Sequence, residues 1–153
     1  MQLSDQDQQG LERGVAAFED NEFARAMRLL RPLAEAGVAD AQYRVAIMHQ
    51  NGLGGARQPE LAVKWMRAAA EQGNAMAQYA LGFMYVQGDC VELDGAQAVH
   101  WLERAAEQGL AGAKTTLALM YAQGKGVERD PEAARRWYIA AGFDPNRMAA
   151  LKD

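Results

Sequence analysis

The sequence predicts an all-α fold, a solenoid of about four antiparallel helix hairpins followed by a short C-terminal capping helix. Three observations predict it. First, one residue pattern recurs at a fixed interval of 36: Trp65, Trp101 and Trp137; Met48, Met84 and Met120; Gly52, Gly88 and Gly124; Ala41, Ala77 and Ala113; Ala62, Ala98 and Ala134. A period in the range of about 20–50 residues marks a stacked array of one supersecondary unit. Second, apolar positions inside each unit follow helical spacing, as at Leu81, Met84 and Tyr85, which share one helix face. Third, glycines that end helices alternate with the Asp and Pro residues that start them.

The first hairpin, residues 1–37, is a divergent copy. Its first helix is predicted over residues 4–19, with Leu11, Val15 and Phe18 on one face. Ser4 followed by Asp7 resembles a capping box with Asp in place of Glu. A short loop at Asp20 and Asn21 leads into a second helix, found by counting back 36 residues to Ala26, Leu29, Leu33, Glu35 and Gly37. Leu29 stands there in the place of Trp.

Residues 38–73 form the next unit, and its second helix starts at Gln58-Pro59-Glu60. In the unit 74–109 a first helix over 75–87 stops at Gly88, because glycine tolerates the left-handed backbone that ends helices. A loop over 89–93 follows, then Asp94 as N-cap of a second helix over 95–108, closed by Gly109. The unit 110–142 has the clearest punctuation: Asp130 as N-cap and Pro131 at the first helical position, where a missing N–H costs nothing. The pattern breaks at Gly142. Asp144-Pro145 then reads as the start of a capping helix within 143–153, reaching about Lys152 and presenting Met148 and Leu151 to the last Trp.

Alanines at repeating sites let the helices approach closely, and the Trp and Met lattice fills the space between them. A buried Trp contributes on the order of 3 kcal/mol, so each unit leans on its neighbours.

Composition narrows the function classes. A length of 153 residues suits one continuous core, and a net charge of −4, with the signs interspersed, argues against nucleic acid or an anionic membrane surface. A lone cysteine, Cys90, forms no internal disulfide. Residues 1–9 are polar and lack a secretory leader's basic and apolar regions, and no apolar run approaches the ~20 residues of a membrane helix. The expectation is a cytoplasmic protein without membrane insertion. The alternative is a periplasmic or secreted protein whose leader has been removed.

Within residues 74–109, Ala77-Gln78-Tyr79-Ala80-Leu81-Gly82, Met84-Tyr85 and Gly88 resemble the Sel-one-like repeat (SLR) family, relatives of the tetratricopeptide repeats. Tyr121, Gly124, Gly126-Val127, Asp130-Pro131, Ala134, Trp137-Tyr138 and Ala140-Ala141 continue the pattern. Residues 38–73 match more loosely, with His49 where Tyr is usual and Gly55 where Val is usual. Residues 11–37 look more like a tetratricopeptide hairpin. The resemblance covers nearly the whole chain and implies a right-handed α-solenoid. It says little about function, because such folds host many partners.

Residues able to carry catalysis are sparse. Ser4 is the only serine and sits at a helix cap, so no serine nucleophile is available. Cys90 holds the loop position of Gly54 and Gly126, and a nucleophilic thiol needs a base such as His100, a helix away. Some members of the resembled family are cysteine-rich, with a disulfide in each repeat; this chain departs from that pattern. His49 takes the slot of Tyr85 and Tyr121, a packing position, and lacks a second ligand for a metal. The Met lattice reads as core, no calcium loop is present, and Gly52-Leu53-Gly54-Gly55 follows a helix and lacks the Lys-Ser/Thr of a phosphate loop. No catalytic residue, metal site or cofactor is expected.

The resemblance implies that first helices line the concave wall. The inward set is then Asp40, Tyr43, Ile47, Gln50 and Asn51; Met76, Tyr79, Phe83, Val86 and Gln87; and Thr115, Leu119 and Gln123. This stripe is aromatic and apolar along its middle and amide-bearing along one edge. That combination suits capture of a protein or peptide, although Tyr43, Tyr79 and Phe83 also fit plain packing between repeats.

The function expected is a monomeric, non-enzymatic adaptor that binds a partner protein or peptide and no nucleic acid. Two alternatives stand beside it. One is a hydrolase acting on β-lactams, an activity assigned to cysteine-rich relatives. The other is a scaffold that self-associates through its first helix or terminal repeat.

Overall fold

The computed structural model describes residues 2–147. These residues form eight α-helices and no strand: α1 (Asp5–Glu19), α2 (Phe23–Glu35), α3 (Ala39–Asn51), α4 (Pro59–Glu71), α5 (Ala75–Gln87), α6 (Gly95–Glu107), α7 (Ala111–Gln123) and α8 (Pro131–Ala140). A 3₁₀ turn, Pro145–Arg147, follows. None of the described helices is long and apolar enough to cross a membrane. The chain divides into two compact units, one ending at Ala77 and the other starting at Gln78.

Helix boundaries follow the expected local chemistry. Ser4 Oγ accepts the Asp7 N–H at 3.1 Å and opens α1. Asp94 and Asp130 do the same for α6 and α8, accepting from the N–H groups of Gln97 and Ala133 at 3.1 Å each. Pro59 and Pro131 occupy first helical positions. Gly52, Gly88 and Gly124 end their helices at φ of 65°, 67° and 66°, the left-handed conformation that a Cβ disfavours.

In the first unit α1 packs on α2, α2 on α3 and α3 on α4. Its core holds Leu11, Leu30, Leu33, Val45 and Met48, with Phe18, Phe23, Met27 and Trp65 packed around them. The alanines at the repeating sites, among them Ala26, Ala41 and Ala62, are fully buried, which lets helix axes come close. A polar pair runs through this apolar interior. Gln42, 5% exposed, donates through Nε2 to the Ala34 carbonyl at 3.1 Å. It also accepts from Gln72 Nε2 at 2.8 Å.

In the second unit α6 packs on α7 and α7 on α8, around the buried residues Leu81, Met84, Leu102, Leu117 and Met120. The glutamine pair recurs 36 residues on, where Gln108 Nε2 donates to Gln78 Oε1 at 2.9 Å. One repeat further the two positions hold Lys114 and Asp144. There Lys114 Nζ donates instead to the Ala140 carbonyl at 3.3 Å, tying α7 to the end of α8.

Two sequence expectations change. The three tryptophans are not equivalent wedges: Trp101 is 4% exposed, whereas Trp65 and Trp137 are only half-buried. The neighbours explain part of the difference. Arg104 lies over the Trp101 ring, with Cζ 5.2 Å from the centroid, and the His100 ring meets it edge-on at 4.9 Å. Over Trp65, which packs against the core of the first unit, lies the Lys64 ammonium, 4.8 Å from the ring centroid. Of the expected capping helix only the start is described, and that start is not α-helical. It is a 3₁₀ turn in which Asp144 Oδ1 accepts the Asn146 N–H at 2.9 Å. Met148, Leu151 and Lys152 lie outside the described residues.

Candidate partner-binding face

The expected inward stripe falls on α3, α5 and α7, at register positions that repeat every 36 residues: Asp40 and Met76; Tyr43, Tyr79 and Thr115; Ile47, Phe83 and Leu119; Asn51, Gln87 and Gln123. Most of these side chains reach solvent, but the two units use them differently.

On α3 much of the polar chemistry is already engaged. Asp40 Oδ1 accepts from Asn74 Nδ2 at 3.4 Å and lies 3.9 Å from the Arg44 guanidinium. Asn51 Nδ2 donates to the Ile47 carbonyl of its own helix at 3.1 Å, so one expected edge amide is committed to its own helix. The Gln50 carbonyl accepts from Arg57 Nε at 2.8 Å. Tyr43 is half-buried beside Arg44, whose Cζ is 6.0 Å from the ring centroid. Burial holds its hydroxyl above the ordinary 10.0, partly offset by the Arg44 charge, so the phenol is neutral at physiological pH. Ile47 is half-buried, and Met76, at the start of α5, is exposed.

In the second unit the face is more apolar. Phe83 and Leu119 are each 42% exposed, large for apolar side chains. Tyr79 meets Phe83 edge-on, with ring centroids 6.3 Å apart at 87°, a favourable aromatic geometry. Tyr79 is half-buried because its ring lies against Gly112, where an added Cβ would come within 3.0 Å of the ring. Packing between repeats and exposure are therefore divided between two residues: Tyr79 packs on α7, and Phe83 remains open. Gln87 and Gln123 are exposed, whereas the Thr115 hydroxyl donates to the Ala111 carbonyl at 3.0 Å. Val86 is 7% exposed and drops out of the stripe, since its side chain faces the core.

Sequence reasoning passed over Gly112. A signal was present: Gly112 occupies the lattice position of Asp40 and Met76, and a glycine among larger residues marks a close approach. The Gln42/Gln78 and Gln72/Gln108 pairs also lie on the 36-residue lattice and were overlooked. Amides look like surface residues until their burial is known.

The residues weighed for chemistry occupy separate places. Cys90 is half-buried in the left-handed conformation, φ 67°, matching Gly54 and Gly126 at 77° and 75°. Its Sγ lies 3.6 Å from the Asp89 carboxylate, the opposite of the cationic neighbour that activates a thiol. Among the described residues no three His, Cys, Asp or Glu side chains are grouped to hold a metal ion.

His49 sits half-buried in the packing slot, and burial, then the Arg31 charge, lowers its pKa below 6.5. The fold therefore favours neutral His49. Above pH 6.5 its contribution to stability is complete; as pH falls, the unfolded chain takes up the proton first and stability drops until the folded-state pKa is passed. His49→Tyr, the residue of the sister repeats, is expected to remove this part of the decline. Urea midpoints measured in steps below pH 6.5 check it. A wild-type and a variant of identical slope would contradict the assignment.

The Sel1 repeat pattern matches residues 39–74, 75–110 and 113–142. The chain belongs to the Sel1 repeat family. It is similar to the crystal structure of c5321, a protective antigen of uropathogenic Escherichia coli strains displaying an SLR fold. The TM-score is 0.82 and the identity 31%, over 88% of this chain and 30% of that one. A Sel1 repeat protein from Oxalobacter formigenes matches with a TM-score of 0.79 and 31% identity, over 88% of this chain and 57% of that one. This Sel1 repeat chain thus spans well under two thirds of the length of either. No curated protein matches it. Its helix hairpins are those of the SLR class of α-solenoid, and Sel1 repeats are in general protein-interaction modules, typically without enzymatic activity.

Proposed function

We propose that this Sel1 repeat chain is a non-enzymatic adaptor whose first helices hold a partner protein or peptide, with the strongest anchoring on α5 and α7. The observation that carries the reading is the composition of those two helices. Together they bear a single charged residue, Lys114, yet they expose Phe83 and Leu119 at the same register position. An uncharged surface with aromatic and aliphatic anchors, flanked by Gln87 and Gln123, suits an apolar partner segment whose backbone the amides can bind. Tyr79, fixed against Gly112, holds the Phe83 ring from one side, and a preorganised anchor loses little entropy on binding.

The test uses a partner co-purified from the native host and titrated calorimetrically. Phe83→Ala combined with Leu119→Ala is expected to weaken binding at least tenfold while leaving the helical circular dichroism unchanged, because both side chains are exposed. Raising the salt concentration is expected to change the affinity little, since no ion pair is invoked. Unaltered affinity in the folded double variant would place the partner elsewhere.

A further inference from the structure

Away from the α5–α7 face, the second unit contains an open cleft of about 460 Å³. Glu103 of α6, Tyr121 of α7, Asp130 at the start of α8, and Arg136, Trp137 and Ala140 within α8 line it. Tyr121 follows Leu119 by two residues, about 200° around the helix, so the cleft and the exposed Leu119 lie on different sides of α7.

One repeat earlier the same register is filled from within the chain. Arg104 stands three residues after Trp101, its guanidinium lies over the indole at 5.2 Å, and Trp101 is 4% exposed. Three residues after Trp137 stands Ala140, itself exposed, and Trp137 remains a half-buried wall of the cleft. Over Trp65, followed three residues on by Ala68, the chain's own occupant of the indole is the Lys64 ammonium, whereas at the Trp101 register it is a planar cation.

The charge of the cleft fits the same group. Glu103 and Asp130 line it against one cation, Arg136. Asp130 accepts from the Ala133 N–H, while Glu103 and Arg136 form no ion pair among the described residues. Tyr121 supplies a second aromatic wall. Its hydroxyl is held above the ordinary 10.0 by burial first, then by Glu103 and Asp130, with Arg136 opposing, so the ring stays neutral at physiological pH.

We propose that this cleft binds the guanidinium of an arginine side chain on a partner polypeptide, stacked on Trp137 and paired with Glu103 and Asp130. Indole is the best aromatic partner for a cation, and a guanidinium combines stacking with directed bonds to carboxylates. Free arginine carries its own α-carboxylate into a cleft with two carboxylates and one guanidinium, so a residue blocked at both backbone ends fits better. The site is independent of the α5–α7 face, and either can fail alone.

The experiment follows the Trp137 indole N–H by NMR, assigned with Trp137→Phe, during titration of the whole chain. The probes are Nα-acetyl-arginine amide, an acetyl-Gly-Arg-Gly amide peptide, free arginine, and the matching citrulline peptide. The arginine peptide is expected to shift the Trp137 signal saturably, and the uncharged, isosteric citrulline peptide to bind at least tenfold more weakly. Glu103→Gln is expected to weaken binding severalfold. Ala140→Arg, which reproduces the Arg104 arrangement on an exposed helix end, is expected to abolish it. Equal responses to arginine and citrulline, no response to the arginine peptide, or undiminished binding by Ala140→Arg would each overturn the proposal. Tighter binding of free arginine than of the peptide would reassign the site to a small molecule and overturn the polypeptide partner.

Discussion

Gly95→Ala is expected to destabilise the protein by about 3 kcal/mol, which lowers the melting temperature by about 6–12 °C for a chain of this size. Helix propensity alone predicts the opposite sign. Gly95 is the first residue of α6, its φ lies outside the left-handed region, and replacing such a glycine with alanine normally stabilises by about 0.4–1 kcal/mol. Tertiary contact reverses this. A Cβ on Gly95 would fall onto the carbonyl of Gly126, in the loop before α8, and the obstacle is backbone. A flexible side chain could turn away, but a loop held in the left-handed conformation at Gly126, φ 75°, moves only by straining its own turn.

Gly55→Ala is the control, because its Cβ would meet nothing within 4 Å. It is expected to be neutral or slightly stabilising. Thermal unfolding of both variants checks the pair, and a Gly95→Ala protein as stable as wild type would refute the close approach.

Trp101→Ala is expected to lose about 3–5 kcal/mol, the range for emptying a large aromatic site in a core. Trp101→Phe is expected to lose only about 1 kcal/mol. The reason lies in the indole nitrogen: Trp101 is 4% exposed, and among the described residues its Nε1 has no hydrogen-bond acceptor. A buried donor without an acceptor carries a penalty of about 1–3 kcal/mol. Phenylalanine removes that donor while retaining an aromatic ring beneath Arg104, so relief of the penalty offsets much of the lost volume. The half-buried Trp65 and Trp137 are expected to lose roughly half as much on truncation to Ala. Urea denaturation separates these outcomes. A Phe variant as damaged as the Ala variant would show that the indole N–H is satisfied after all. Equal losses at the three tryptophans would contradict the burial pattern.

The hairpins were readable because their determinants are local. Asp94 and Asp130 cap helices through an N–H three residues away, and Pro131 starts a helix by its own ring geometry. A 36-residue lattice needs no knowledge of contacts to be seen. The candidate face was less legible. Phe83 and Val86 look alike in sequence, three residues apart on one helix, yet one is 42% exposed and the other 7%. Such differences depend on what the rest of the fold places against each side chain.

The same division separates the three tryptophans. Their spacing and helical setting followed from the order of residues alone, and so did the all-α repeat class and the family. Tertiary structure decided that Trp101 is 4% exposed while Trp137 faces a cleft, and that Gly95 meets a backbone from the next repeat. Helix starts, stops and periods arise from interactions spanning a few residues, which contiguous sequence encodes. Burial and close approach arise between helices some 30 residues apart, where one side-chain change in a neighbouring repeat alters the environment of an identical residue.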